Sequence, residues 1–549
     1  MPKLIIIGMD GASPDLMLPW MEQGMLPNFC RIRQNGAFGR LNSVPNQRSA
    51  AAWSSFITGL NPGSHGIFEF YERVPGSHDI RFSRAASRDG ISFWKYLSEN
   101  NKTAVVVNVP MTYPAEEIRG CFISGLDAPG KNSPGFTYPA GLLQEIEKEA
   151  GEYIQEPGVT SLVMAGRTEE ALKRVIESVR QRGKAVRYLM SRYDWDTVVA
   201  VFRETDPAQH CFWRYMGDSG SAFEDAVARV YQEVDREVGE ILSAAGNEYR
   251  VLVMSDHGFG FRQHGNGCLN QWLHEAGFLK FRKVNNAVSV PDVLRRSYQF
   301  LEKFVPRRFK ERLFRLIPGL ISKVHSKVFF SAIDWDNTVA YADNIMPVIW
   351  INTADTAPAG RIKREEYWNV VSKVKSALLE KCLEADTMKK VVEWVKHREE
   401  IYNGPHVEKA PDILIRWKES ENISGLRYGT DGIPLHPQYP TREFTVISGD
   451  HRPAGVFMAA GDGIKKNIEI HGLNIVDVPA TAIYLNQLPV PEYIEGRVPE
   501  GLFEDQILAS NPLRTDRRKF VSDKAQGSEY TPEEESDLRD RLRGLGYLE

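Results

Sequence analysis

The sequence predicts an α/β fold with a mostly parallel central sheet flanked by helices. Three observations predict it. Short Val/Ile/Leu/Met runs such as KLIIIGM (Lys3 to Met9) and VLVM (Val251 to Met254) are continuously apolar, as strands buried on both faces are. Longer stretches between the strand runs carry apolar residues at helical spacing. The two kinds alternate, which implies right-handed crossovers and a sheet covered by helices.

The elements follow in order. KLIIIGMDG is the first strand, and TAVVVNVP (Thr103 to Pro110) is the second, stopped by a proline that cannot continue it. EEALKRVIESVRQRGKAVRYLMSRY is a helix leading into the third strand, DTVVAVFRETD. FEDAVARVYQEVDREVGEILSAAG is a helix closed by glycine. YRVLVMSDHG is the fourth strand. A Lys/Arg-rich amphipathic segment, 282–330, then interrupts the alternation and reads as an inserted helical cap. TVAYADNIMPVIWIN and APDILIRW read as further strands, with the helix EEYWNVVSKVKSALLEKCLE between them. Asp477 is placed to cap a helix that has a proline soon after it. The tail ends in a charged helix. A chain of 549 residues suggests roughly three or four domains on length alone. No repeat or low-complexity linker divides it, so one sheet with insertions is expected.

Composition narrows the function. A net charge of −4 over this length gives no argument for nucleic-acid binding, and no such module is evident. No run reaches the ~18 apolar residues of a membrane span, and the first apolar run is cut by Asp10 as no signal peptide would be. Cys30, Cys121, Cys211, Cys268 and Cys382 are scattered and odd in number, unlike a disulfide framework. A cytoplasmic protein is expected, with peripheral membrane contact open to the basic insertion through its Phe and Leu residues.

The strand ends carry the chemistry. In open α/β sheets ligands bind at the carboxyl ends of strands. The first strand ends in Asp10. The third runs into TDPAQH, whose Asp206 and His210 share a helix face at i, i+4. The fourth ends in Asp256 and His257, and VISGDHRPAGVF places His451 between a strand and a glycine turn. A lone strand-end Asp usually caps the next helix. Three carboxylates and three imidazoles in equivalent places suit two metal ions with mixed oxygen and nitrogen ligands. The stretch NQRSAAAWSSFITGLNPGSHGIF supplies hydroxyls at a loop feeding a helix start, where an anion is favoured.

The ordered set IIGMDG, SAAAWSSFITGLNPGSHGIF, TDPAQH, MSDHGFG and SGDHRPAGVF resembles the alkaline phosphatase superfamily, within it the type I phosphodiesterase/nucleotide pyrophosphatase branch. The resemblance spans nearly the whole chain. It implies an alkaline phosphatase-like catalytic domain over residues 1–281 and 331–510, the insertion 282–330, and a C-terminal tail with a helix over 511–549. It assigns one metal to Asp206, His210 and His451, the other to Asp10, Asp256, His257 and the nucleophile hydroxyl, Ser49. The cofactors implied are two divalent ions, Zn²⁺ first and Mn²⁺ second. The reaction implied is hydrolysis of a phosphodiester or pyrophosphate in a small molecule through a phosphoserine. Two alternatives stand beside it: a phosphomonoester hydrolase or phosphotransferase with the same site, and a metal-binding pseudoenzyme that scaffolds a partner. The sequence departs from the branch in using Ser rather than Thr, and in placing Ala52 where the family's phosphate-holding Asn stands. Arg48, Arg262, His264 and Arg452 are the candidate replacements for substrate binding. His65 matches the family and reads as a structural turn histidine.

Overall fold

The computed structural model describes residues 2–74, 80–282, 332–343, 345–354, 360–437, 446–518 and 530–545. All of the expected basic insertion except Arg282 lies outside them. Among the described residues the central sheet has nine strands: β1 (Lys3–Met9), β2 (Gly36–Asn42), β3 (Ala104–Val109), β4 (Gly120–Ser124), β5 (Thr137–Tyr138), β6 (Thr197–Phe202), β7 (Tyr249–Met254), β8 (Ala454–Gly461) and β9 (Ile468–Asn474). Their order is β9-β2-β8-β7-β1-β6-β3-β4-β5. The run from β7 to β4 is parallel. β8 is antiparallel to both β7 and β2.

Period-two alternation explains why the β1 run is apolar throughout. Ile5, Ile7 and Met9 join one buried cluster, with the helices Thr168–Arg192 and Ala226–Ala245. Leu4 and Ile6 join a second, with the helices Ser49–Thr58, Phe93–Glu99 and Asp477–Leu485.

Register places the site. Met9 pairs with Phe202, and Gly8 with Met254, so β1, β6 and β7 end side by side. β8 runs the other way, with Phe457 opposite Met254, and therefore starts at the rim where its neighbours stop. Ala454 also faces Asn42, so the chain leaving β2 begins its path to Ser49 at that rim.

Two expectations need correction. The two strands expected directly after the insertion, TVAYADNIMPVIWIN and APDILIRW, do not join the central sheet. Ala340–Tyr341, Val348–Ile351, Ile413–Trp417 and Val392–His397 form a separate antiparallel sheet with its own apolar cluster, backed by the helix Arg364–Lys381. Periodicity identifies a strand but not its partner. Asp477 is the first residue of its helix, with Val476 at the cap position. Its carboxylate instead accepts from the backbone N–H groups of Asn474 and Arg497. The tail helix Pro532–Gly544 is docked: Leu538, Leu542 and Leu545 are buried in the second cluster.

Candidate active site

Two groups of ligand-type side chains, Asp206/His210/His451 and Asp10/Asp256/His257, converge at the carboxyl rim, all of them buried. Asp206 and His210 lie one turn apart on the helix Thr205–Phe212, as their spacing predicts. His451 sits within a short strand, Gly449–Arg452, rather than beyond one, and pairs opposite Phe259 of Gly258–Phe261. That ribbon stacks the His451 ring on His257, with centroids 3.7 Å apart and 21° between planes.

The backbone sets the tautomer of each histidine. Nδ1 of His210 lies 2.8 Å from Gly449 O, that of His257 3.0 Å from Gly258 O, and that of His451 2.9 Å from Gln47 O. A carbonyl only accepts, so each Nδ1 carries a proton and Nε2 is the atom turned to the site. Gln47 holds its carbonyl there from a left-handed backbone, φ 51°.

The carboxylates are fixed from one side only. Asp256 Oδ1 accepts from Gly11 N at 3.0 Å, and Asp10 Oδ2 accepts from Trp53 Nε1 at 3.3 Å. Gly8 makes room for that tryptophan, since a Cβ there would stand 2.8 Å from its ring. The other oxygens, Asp10 Oδ1 and Asp256 Oδ2, are buried without a hydrogen-bond partner among the described residues, as are both oxygens of Asp206. They face imidazole nitrogens: Asp256 Oδ2 is 3.2 Å and Asp10 Oδ1 3.7 Å from His257 Nε2. Asp206 Oδ1 is 3.4 and 3.3 Å from Nε2 of His210 and His451, which are themselves 3.2 Å apart. Orphaned carboxylate oxygens crowded against imidazole nitrogens are what a divalent cation resolves, one for each group. The donor set fits two such ions.

Burial and charge act differently on the two groups: in one, Asp206 outweighs burial and raises His210. Burial raises Asp10 well above the usual carboxylate range, with the charges of Asp256 and Asp206 adding to it. Burial lifts Asp256 to about 7. Burial also works to raise Asp206, but His210 and His451 outweigh it and hold the group well below its ordinary value. His257 is pushed well down, by burial first and His451 next.

Ser49 opens the helix Ser49–Thr58, with Arg48 at the cap position, and its hydroxyl lies 3.1 Å from His257 Nε2. The nucleophile expected from the resemblance therefore stands against the second ligand group. Ala52 is buried in the apolar cluster and offers the site nothing. His65 is buried and structural, 3.0 Å from Ser55 Oγ with Nδ1 accepting from Ile67 N.

The substrate-binding candidates separate. Arg48 and Arg452 border a cleft that reaches His451, together with Gln47. Arg48 pairs with buried Glu69, and Arg452 donates to the carbonyls of His451 and Phe261. Arg262 and His264 do not border that cleft: Arg262 donates to Ile447 O, and His264 N to Ile423 O. Sequence reasoning missed Trp53, Gln47, Glu69 and Arg416. Trp53 and Gln47 lie inside the quoted hydroxyl stretch; Glu69 and Arg416 lie outside it.

The family model described as type I phosphodiesterase/nucleotide pyrophosphatase matches residues 4–431. Among solved structures, phosphonoacetate hydrolase from Sinorhizobium meliloti 1021, in complex with phosphonoacetate, is similar at a TM-score of 0.51 and 14% identity, over 88% of this chain and 96% of that one. Murine ectonucleotide pyrophosphatase/phosphodiesterase 5 gives 0.43 at 13% identity, over 88% and 95%. The first likeness is one of fold. No curated protein matches the sequence. Among the described residues, no helix is long and apolar enough to cross a membrane.

Proposed function

Since the chain belongs to the type I phosphodiesterase/nucleotide pyrophosphatase family, a family of enzymes in the alkaline phosphatase superfamily, we propose that it is a metal-dependent hydrolase of phosphodiester or pyrophosphate bonds with Ser49 as nucleophile. The observation that carries this is the pairing of two buried ligand groups with orphaned oxygens and a hydroxyl within 3.1 Å of one of their imidazoles. Asp206, His210 and His451 would hold one ion; Asp10, Asp256 and His257, with Ser49, the other. When bound, the ions supply Lewis acidity at the phosphoryl oxygens and lower the pKa of the serine hydroxyl. Zinc suits a set rich in imidazole, and manganese is the alternative.

The chain's own contribution is position. The helix start aims the Ser49 oxygen, which attacks phosphorus as the substrate's leaving oxygen departs in line. Water then cleaves the phosphoserine and restores the hydroxyl. Burial of all six ligands keeps bulk water from the charges they hold. Turnover of bis(p-nitrophenyl) phosphate against p-nitrophenyl phosphate tests the reading. Faster hydrolysis of the diester is expected. Faster hydrolysis of the monoester would replace it with a phosphatase, and inactivity on both with Zn²⁺ or Mn²⁺ present would remove it.

A further inference from the structure

The cleft beside His451 has two walls of different origin. Gln47, Arg48, His451 and Arg452 come from the rim of the central sheet, while Arg416 and Glu419 come from the second sheet and the turn after it. Arg416, on the strand Ile413–Trp417, is half-buried. Among the described residues its guanidinium makes one hydrogen bond, from Nη2 to Pro45 O at 3.3 Å, and lies 5.1 Å from the centroid of the Trp394 ring. Glu419 and Glu393 act on it only through space, and no carboxylate among the described residues pairs with it. Of the donors that a guanidinium carries, most are therefore left to the cleft. Arg452 also spends its hydrogen bonds on carbonyls, not on a carboxylate.

We propose that this cleft is an oxyanion subsite, in which Arg416 with Arg452 receives a second anionic group of the substrate while the reacting phosphoryl group lies at Ser49. The proposal rests on the hydrolase reading above. A planar fork of donors matches the oxygens of a phosphate or a carboxylate bidentately, and a half-buried cleft strengthens that contact relative to open water. Burial already works against the charge of Arg416, so an incoming anion relieves a cost that the protein bears without it. Trp394 holds the guanidinium plane in place and reduces the entropy lost on binding. Two carboxylates oppose the subsite: Asp450, which lines the cleft and acts on Arg452 more strongly, and Glu419, exposed at the mouth, whose charge acts on both arginines. The substrates selected would carry an oxyanion beyond the reacting phosphorus.

The test is binding of three probes to the zinc-loaded protein by calorimetry: ethylphosphonate with no second anion, 3-phosphonopropionate with a carboxylate, and methylenediphosphonate with a second phosphonate. Wild type should bind at least one of the doubly anionic probes about tenfold more tightly than ethylphosphonate, the scale of one charge-assisted contact. Which one it favours distinguishes carboxylate from phosphate. Arg416→Gln should bring that ratio down to about two, and Glu419→Gln, an exposed change safe for the fold, should raise it about threefold. Chelation by a probe is common to all three proteins and cancels in the comparison. A wild-type ratio near one, or a ratio unmoved by both substitutions, overturns the subsite even if phosphodiesters are hydrolysed. A selective wild type that turns over no phosphoester removes the hydrolase reading and leaves the subsite standing.

Discussion

Replacing Asp256 with Asn should stabilise the protein stripped of metal and destabilise the same protein loaded with it. The substitution keeps the bond from Gly11 N, since the amide oxygen can take the place of Oδ1. The amide nitrogen replaces Oδ2, 3.2 Å from the His257 Nε2 lone pair, which can accept from it. The difference left is charge. Burial holds the folded carboxyl near 7 against an ordinary 3.8. Between about pH 4 and pH 7 the folded chain therefore keeps a proton that the unfolded chain has lost. Wild-type stability falls as pH rises through that window and levels off above it. At about 1.4 kcal/mol per pH unit the window is worth about 4 kcal/mol, an upper figure once neighbours relax. Thermal unfolding followed by near-ultraviolet circular dichroism reads the result. In EDTA at pH 8 the variant should melt several degrees above wild type, and at pH 4 the two should coincide. With zinc the order should reverse, because the variant forgoes stabilisation by a tightly bound ion. A variant less stable than wild type in EDTA at pH 8, or a gap equal at both pH values, refutes the reasoning.

Ser49→Ala should lower turnover by about three or more powers of ten with metal content nearly intact, while Ser49→Thr keeps part of the activity; steady-state kinetics beside elemental analysis decides this. His451→Ala should lose mainly the ion shared with Asp206 and His210, leaving close to one metal per chain by mass spectrometry. Arg182→Met breaks the pair that Arg182 makes with Glu204, both side chains 1% exposed. It should cost about 3–5 kcal/mol in urea unfolding and weaken metal retention, because Glu204 leads directly into Asp206.

Asp10, Asp206, His210, Asp256 and His257 were legible because each follows a strand whose apolar run announces itself, and a charged residue at such an end stands out. His451 was found through the same logic, although it lies within a strand. Its place at the rim comes from β8 running antiparallel, which no local pattern encodes. The central sheet was readable from its doubly buried strands. The second sheet was not assigned, because its short strands show what they are but not what they pair with. Side chains that serve the site through distant contacts left least trace: Arg416 reaches Pro45 across 371 positions, and Trp53 meets Asp10 only after the helix has packed on β1. Arg262 and His264, offered as replacements for the absent family Asn, do not border the cleft beside His451: Arg262 donates to Ile447 O and His264 N to Ile423 O.

The central claim is that two ions at the rim and the Ser49 hydroxyl form one hydrolytic site. Turnover of bis(p-nitrophenyl) phosphate, followed as Zn²⁺ is titrated into metal-free protein, tests it most directly. The account predicts activity that is absent at the start and reaches its plateau at two equivalents per chain. Turnover already complete without metal, or none at any Zn²⁺ or Mn²⁺ ratio, would contradict it.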